Sequence, residues 1–373
     1  MTHELYHPGL KGVIAGETEI CRIDGGLQYR GYCLHDLAEE ASFLEVAHLL
    51  LFDELPDEEQ FADFLSIIAE EQLLPPIIQQ VYEALPVHNP PLDVLHLGIS
   101  LLGLADSQPH DNLLHAGHSQ TMRLLARVPL LIAAWHRTRQ GEPWLEPKPE
   151  LSYIANIYYV ITGRIPCALY ERALEVIFIV AAEHEFNPAS FVARIVGSVR
   201  SNPYSPVLAA LETFTGAEHG GGDDRPLEIL QEIGHPDDAE GWLAGQPAEE
   251  KIVGFGHPIY QECDPRAAIL EVECEKLAQA CGRADLEQLA DAAERAIWTN
   301  RKVPPNIDWP LARLFTYLEL DRDLFRPLFA AARLVGWSCH AFEQCESNDV
   351  IRPRARYRGA EDCPYESMRR RSE

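Results

Sequence analysis

The chain has 373 residues, of which 46% are hydrophobic, and its 31 basic against 58 acidic side chains give a formal net charge of −27. This length favours one large domain with a second, smaller one, and so acidic a surface argues against binding to nucleic acid or to anionic membranes. No run of about eighteen uncharged apolar residues occurs and the start does not have the pattern of a secretory signal, so we predict neither a membrane span nor export.

The first elements are a short hairpin and two capped helices. The stretch from about Val13 to Ile23 favours a hairpin closed by the turn Asp24-Gly25-Gly26. Ser42 and Glu45 form a capping-box pattern that opens a helix over residues 43–51. Pro56 then interrupts the chain, and Asp57 is expected to cap the next helix.

Helical periodicity continues through most of the remaining chain. A long helix is predicted over 113–139 with its end at Gly141, and another over 171–185 with its end at Pro188. Further helices are predicted at 191–199, 207–214, 267–280, 286–298 and 324–343. Since strands do not alternate with helices, the predicted fold class is all-α.

A change of composition near residues 216–222 indicates a second domain. The segment that follows is richer in loop residues, and apolar helices return near Leu324. We therefore expect a large helical domain made of residues 1–217 and 327–373, with a small domain, residues 218–326, inserted between its two parts.

Three loop segments combine glycine or proline with residues that can carry chemistry. His219 precedes three glycines, His257 follows Gly254-Phe-Gly256, and Asp308 follows Pro304-Pro305-Asn306-Ile307. Glycine beside a histidine lets a ligand approach the backbone closely. Each segment alone is weak, because a single histidine is more often structural than catalytic.

Taken together and in order, these segments resemble a known family. GFGHPIYQECDPRA is similar to a signature of the citrate synthase family, and AEHEFNPASFVARIVGS, PPNIDW, ARLVGWSCHAFEQ and IRPRARYRG match other family patterns in the right order. The resemblance covers nearly the whole chain. It implies a two-domain all-α fold, an obligate homodimer and closure of the small domain over the substrates.

The resemblance also implies a reaction, the condensation of acetyl-CoA with oxaloacetate followed by hydrolysis of the thioester. Asp308 would remove the α-proton of the acyl group. His219, with a neutral ring, would donate a hydrogen bond to the thioester oxygen and stabilise the enolate. His257 would hold and protonate the carbonyl oxygen of the 2-oxo acid while the carbon–carbon bond forms.

The family's substrate-binding positions fall on charged residues and glycines of this chain. The carboxylates of the 2-oxo acid would be bound by His184, Arg266, Arg333 and Arg352, of which Arg352 would reach in from the partner subunit. The CoA positions are Lys251, Gly254 and Gly256. Acyl-CoA would be a co-substrate, and we expect no tightly bound cofactor and no metal. The nine cysteines form no C-x-x-C pair, which favours reduced thiols in the cytoplasm.

Several residues depart from the family pattern. Glu218 precedes His219, and its carboxylate would raise the pKa of that histidine unless it points away. The loop after His219 ends in Gly222-Asp223-Asp224 instead of Ala-Asn-Glu. Pro258 and Gln261 stand where the family often has cations near CoA, and Arg225 is a candidate to compensate for them.

The departures leave other functions open. A 2-methylcitrate synthase that uses propionyl-CoA is the nearest alternative, because one methylene changes affinity by only about 1–3 kcal/mol. A paralogue with lost or redirected catalysis, acting in binding or assembly, belongs to a different class. Cleavage of a citryl-CoA-type thioester, the reverse chemistry, is the third.

Overall fold

The computed structural model describes residues 6–10, 12–106, 113–347, 349–368 and 370–372, and the regular secondary structure within them is almost entirely helical. The helices are α1 (Leu34–Glu40), α2 (Phe43–Phe52), α3 (Glu58–Glu71), α4 (Pro76–Ala84), α5 (Pro91–Ala105), α6 (Leu113–Gln140), α7 (Tyr153–Thr162), α8 (Ala168–Ala181), α9 (Pro188–Ser198), α10 (Tyr204–Phe214), α11 (Arg225–Ile233), α12 (Ala239–Ala244), α13 (Pro265–Cys281), α14 (Ala284–Arg301), α15 (Asp308–Tyr317) and α16 (Phe325–Ser347). The all-α prediction is confirmed. None of these helices is long and apolar enough to cross a membrane.

The strands near the N-terminus form one small antiparallel sheet. Strand β1 (Cys21–Arg22) pairs with β2 (Gln28–Tyr29), which pairs with β3 (Tyr32–Cys33). The predicted turn at residues 24–26 does connect two paired strands, but the hairpin lies later in the chain than predicted, because its second strand follows the turn.

Helix starts agree well with the sequence signals. Ser42 and Glu45 form the predicted capping box of α2, and Asp57 forms a second one with Gln60 at the start of α3. Helix α6 ends one residue before Gly141, which adopts a φ of +70° that glycine tolerates.

The prediction that Pro188 ends a helix is wrong. Helix α8 already ends at Ala181, and Pro188 is the first residue of α9, with Asn187 as its N-cap. Proline has no N–H to donate and its fixed φ suits the first helical turn, so it starts this helix. The turn between α8 and α9 carries His184, and this places the histidine outside both helices.

The hydrophobic core has two parts. The larger cluster includes most of α16, which is buried along most of its length and packs against α6, α8, α9 and α10. The smaller cluster draws its residues from positions 229–309, with Trp309 fully buried within it. Both ends of this range lie inside the predicted small domain 218–326, whose boundaries remain a prediction.

Candidate active site

The glycine loop that follows α10 positions His219 and contacts Asp308. The Gly222 N–H donates to Asp308 Oδ1 at 2.7 Å. Gly222 has a φ of +74°, and a Cβ there would lie 2.7 Å from the Phe325 carbonyl oxygen, so the loop packs too closely on α16 for a larger residue. One loop therefore carries His219 and a hydrogen-bond donor to Asp308.

A second loop connects His257 with Asp308 through Asn306. The Asn306 Nδ2 donates to the Gly256 carbonyl at 3.0 Å, and its Oδ1 accepts from the Asp308 N–H at 3.0 Å. The backbones also pair, since Gly256 N–H donates to Pro304 O and Asn306 N–H donates to Gly254 O, each at 2.8 Å. Asn306 lies within PPNIDW, but no pattern in the sequence distinguished it as a functional residue.

The surroundings of Asp308 raise the pKa of its carboxyl group toward neutral pH. Burial raises its pKa, the Gly222 N–H lowers it, and the Asp223 carboxylate raises it again, with a net result of about 6. Asp223 is one of the residues that depart from the family pattern, so this departure acts directly on the candidate base.

Both candidate catalytic histidines are neutral near pH 7. Burial lowers the pKa of His219 to about 4, assisted by the charges of Arg333 and Arg326. Burial and the Arg266 charge lower the pKa of His257, also to about 4.

The hydrogen bonds of these histidines assign their tautomers. His219 Nε2 accepts from the Ala189 N–H at the start of α9, at 3.2 Å, so the ring proton is on Nδ1. His257 Nδ1 accepts from the Ile259 and Tyr260 N–H groups at 3.2 and 3.4 Å, so its ring proton is on Nε2. Each histidine therefore presents an N–H donor that the backbone does not use.

Glu218 points away from His219. Its carboxylate, fully exposed, pairs with Lys251 Nζ at 3.3 Å, and it is not among the groups that shift the pKa of His219. The condition set in the sequence analysis, that Glu218 points away and does not raise the pKa of His219, is therefore met.

Three of the four predicted carboxylate-binding residues lie together and are buried. His184 Nε2 is 3.1 Å from the Tyr260 hydroxyl, and its ring contacts that of His257 edge to face at 5.1 Å between centroids. Burial lowers the pKa of His184 well below its usual value, helped by Arg266 and Arg333. These contacts connect the anion-binding residues to His257.

The two buried arginines differ in how much of each guanidinium is engaged. Arg266 forms a fork with Asp264, with Nε–Oδ1 and Nη2–Oδ2 distances of 3.0 and 2.7 Å. Arg333 donates from Nε to the Ala181 carbonyl, but its Nη2 has no hydrogen-bond partner among the described residues. An unpaired buried guanidinium nitrogen is costly, and it marks a position for an anion.

Arg352 is not brought to this site within one chain. It is exposed in the extended segment after α16, next to Ile351, whose N–H donates to Ser198 Oγ. Its place in a partner's site remains a prediction.

A cleft of about 1130 Å³ opens beside His257. Its apolar wall includes Leu243, Ile252, Phe255 and Val303, and Lys251 and Gly256 also line it. Gly254 does not; it is buried at a φ of +89°, where a Cβ would lie 3.0 Å from the Trp309 ring.

The charges of the cleft are mainly acidic. Glu218, Glu240, Glu249 and Glu250 line it, and Arg301 is occupied by the carbonyls of Gln246, Pro247 and Glu250. Arg225 does not compensate, because it pairs with Glu228 and Glu232 at 2.6 and 2.9 Å.

Among the described residues, two groups of side chains that could bind a metal ion lie outside this site. They are His136 with Asp321 and Asp323, and Glu271 with Cys274 and Glu287. In each group an arginine already pairs with a carboxylate, Arg139 with Asp323 and Arg313 with both Glu271 and Glu287.

Comparison with known proteins gives one consistent family. Residues 9–354 match the family model described as citrate synthase, C-terminal domain. The chain is 35% identical over 354 residues to citrate synthase 2 of Bacillus subtilis, covering 94% of this chain and 95% of the relative. It is also 35% identical over 359 residues to 2-methylcitrate synthase of Shewanella oneidensis, with 94% of each covered.

Solved structures agree in fold. The citrate synthase of Thermotoga maritima superposes with a TM-score of 0.88 at 31% identity, covering 99% of this chain and 100% of that one. The citrate synthase of Thermoplasma acidophilum, solved as a ternary complex with carboxymethyl coenzyme A and oxaloacetate, superposes with a TM-score of 0.89 at 24% identity, covering 98% of this chain and 100% of that one.

Proposed function

The chain belongs to the citrate synthase family and is a condensing enzyme of that family, and on this basis we propose that it joins acetyl-CoA to oxaloacetate and then hydrolyses the thioester. The carbon–carbon bond would form between the α-carbon of the acyl group and the 2-oxo carbon, and water would then release citrate and the CoA thiol. Propionyl-CoA is the alternative donor, because a 2-methylcitrate synthase is as similar to this chain as a citrate synthase is.

Asp308 is the proposed base that removes the α-proton. A thioester α-proton is a very weak acid, so the base needs a raised pKa and the enolate needs stabilisation. The pKa of about 6 leaves Asp308 ionised at pH 7 while making it a stronger base than an ordinary aspartate. The Gly222 N–H on Oδ1, together with a hydrogen bond from the Asp223 backbone, would fix the orientation of the carboxylate that takes the proton.

His219 and His257 are the proposed partners of the two carbonyl oxygens. His219 Nδ1–H would donate to the thioester oxygen, where negative charge develops in the enolate. His257 Nε2–H would donate to the carbonyl oxygen of the 2-oxo acid and protonate it as the new bond forms. The role of His219 calls for a neutral ring, and burial keeps both rings neutral. The proton that His257 gives up would therefore leave an imidazolate, which water reprotonates before the next turnover.

The 2-oxo acid would be held by the buried basic cluster His184, Arg266 and Arg333. Its carboxylates would supply the partner that Arg333 Nη2 lacks. Arg266 would contribute mainly its Nη1, the guanidinium nitrogen that does not bond to Asp264. Arg352 would complete the site from a second subunit, so the proposal includes a homodimer.

The acyl-CoA would lie in the cleft beside His257, with Lys251 and Gly256 at its wall and Gly254 supporting the loop. It would bind as a co-substrate, with no tightly bound cofactor, in a cytoplasmic enzyme.

The observation that carries this proposal is the pair of hydrogen-bonded connections between Asp308 and the two histidine loops, through Gly222 and through Asn306. These bonds connect three loops that are far apart in sequence and that carry the three proposed catalytic residues, and this supports the proposal.

The test measures release of free thiol by purified protein with oxaloacetate and either acetyl-CoA or propionyl-CoA. Turnover with either donor is expected, and the larger kcat/KM identifies the physiological acyl group. The absence of turnover with both donors, from a folded dimer, would contradict the proposal and favour a redirected paralogue. Product analysis with citryl-CoA tests the reverse reaction.

A further inference from the structure

One face of α16 lies against the turn that presents His184. Arg333, Gly336 and His340 follow at spacings of three and four residues, so they share this face. Gly336 has no room for a side chain, because a Cβ would lie 2.1 Å from Glu183 Oε2 and 2.5 Å from the Ala182 carbonyl. Glu183 is therefore seated on α16 between Arg333 and His340.

Glu183 and His340 are joined inside the protein. Both are fully buried, and Glu183 Oε1 lies 2.8 Å from His340 Nε2. Arg194 Nη1 is 3.1 Å from His340 Nδ1, and a guanidinium can only donate. The ring proton of His340 is consequently on Nε2, from which it donates to Glu183.

Arg194 is itself fixed from several sides. It donates to Gln344 Oε1 at 3.0 Å and to the Glu17 carbonyl at 3.1 Å, and it pairs with Glu343. These bonds hold the Arg194 guanidinium against His340 Nδ1, and this keeps the ring proton of His340 on Nε2.

Two groups in this region lack partners. Glu183 Oε2 has none among the described residues, and neither does Arg333 Nη2. A buried carboxylate and a buried guanidinium gain from pairing when both are otherwise unsatisfied. The other oxygen of the Glu183 carboxylate, Oε1, is held by His340.

We propose that His340 is a positioning residue that keeps Glu183 from pairing with Arg333, and so keeps Arg333 open to a carboxylate of the 2-oxo acid. Without the Nε2–H donor, Glu183 turns toward Arg333 and occupies the anion site from within the chain. The inference rests on the proposed function, because it assigns Arg333 to the substrate.

The test compares two amides at position 340. His340→Asn keeps an acceptor for Arg194 but is too short to donate to Glu183, whereas His340→Gln places its amide near the former Nε2. We expect His340→Asn to raise KM for oxaloacetate by at least about tenfold, the lower end of what buried charge pairs contribute, with a small change in the KM for acyl-CoA. His340→Gln should stay within about threefold of the parent, since it restores one donor.

The double variant Glu183→Gln/His340→Asn distinguishes competition from simple damage. Removing the carboxylate removes the competitor, so the KM for oxaloacetate should return toward the parent value. A raised KM that persists in the double variant, or no rise in His340→Asn, would overturn the inference.

Crystal structures of the parent and of His340→Asn provide a readout that does not depend on activity. The carboxylate of Glu183 is expected on Arg333 in the variant alone. If the parent fails to turn over oxaloacetate, the proposed function fails, and the position of Glu183 in the two structures still decides the inference. A Glu183 carboxylate that stays in place would refute it.

Discussion

The surroundings of Asp308 act on its pKa in opposite directions, and the sequence motif reveals neither effect. Burial and Asp223 raise the pKa of its carboxyl group, whereas the Gly222 N–H limits the rise. His219 and His257 have pKa values near 4, so neither changes its charge where Asp308 titrates. Of these three residues, only Asp308 should therefore contribute to the acid side of the pH profile.

We expect kcat/KM for the acyl donor to fall about tenfold per pH unit below about 6 and to be constant from 7 to 8, because only ionised Asp308 accepts the α-proton. Asp223→Asn should move this limb to lower pH, since it removes the charge that disfavours the carboxylate. Asp224→Asn is the matched control and should leave the limb in place. A limb that Asp223→Asn does not move would contradict the assigned cause.

The ion pair between Glu218 and Lys251 should weaken the binding of acyl-CoA. Glu218 pairs with Lys251, which among the described cations of the cleft is the one whose side chain is not occupied by backbone carbonyls and could meet a phosphate of CoA. Glu218→Gln should lower KM for acyl-CoA by about twofold to fivefold, the range for exposed ion pairs, and less so at high salt. Glu249→Gln, on the same cleft, should have a smaller effect. An equal effect of both variants would show a general charge effect and no specific pair.

The identity of the candidate site residues could be predicted from the sequence, but their partners could not. The ordered motifs indicated His219, His257 and Asp308 without any distance. The direction of Glu218 and the hydrogen bond from Gly222 to Asp308 depend on how loops pack in three dimensions, and no spacing in the sequence encodes that.

At the scale of elements, the glycine loop shows how packing and chemistry depend on the same residues. Residues 220–222 lie on the start of α16, and a Cβ at Gly221 would lie 2.6 Å from the Phe329 ring. The loop needs these glycines to deliver the Gly222 N–H to Asp308.

Gly222→Ala should destabilise the protein by at least about 1–2 kcal/mol, because its φ is left-handed and its Cβ would contact the Phe325 carbonyl. It should also lower kcat, since the loop must move away from Asp308. Gly241→Ala, in α12 with no atom near its Cβ, is the control and should be neutral or stabilising. Thermal unfolding and thiol release measure both effects, and a stable, fully active Gly222→Ala would contradict this account.

The contact between α14 and α15 contains a carboxylate with an unusual pKa. Glu294 Oε1 accepts from Trp309 Nε1 at 2.6 Å, and burial, assisted by Glu271, raises the pKa of Glu294 to about 7. A folded-state pKa above the unfolded value means that stability is lost as pH rises through 7.

Glu294→Gln keeps an acceptor for Trp309 and removes the titration. The free energy of unfolding of the parent should fall by about 1 kcal/mol more than that of the variant between pH 6 and pH 8. Denaturant unfolding at the two pH values measures this difference. Parallel changes in both proteins would contradict the assignment.

Helix signals in the sequence succeeded where capping chemistry is local and failed at prolines. The capping boxes of α2 and α3 depend on neighbouring residues only. Pro188 was predicted to end a helix, although proline is equally compatible with the first turn of one. Pro91 likewise starts α5, a helix for which the sequence analysis made no prediction.

At the scale of the whole molecule, a charge of −27 coexists with a buried basic site. Arg266 and Arg333 are buried beside His184, and the surrounding protein separates them from the acidic surface. Composition predicted the surface, whereas the location of the basic cluster follows from how α8, α13 and α16 meet. The division into two domains and the homodimer remain predictions about the whole molecule.

The central claim is that this site condenses an acyl-CoA with a 2-oxo acid through Asp308, and the most direct test is thiol release by the parent and by Asp308→Asn with oxaloacetate and the better acyl donor. Asparagine preserves the size and can still accept from Gly222, so circular dichroism and dimer content should not change. We predict that kcat falls by about 10²–10⁴-fold, the usual contribution of a positioned base. An Asp308→Asn protein that releases thiol at the parent rate would contradict the account.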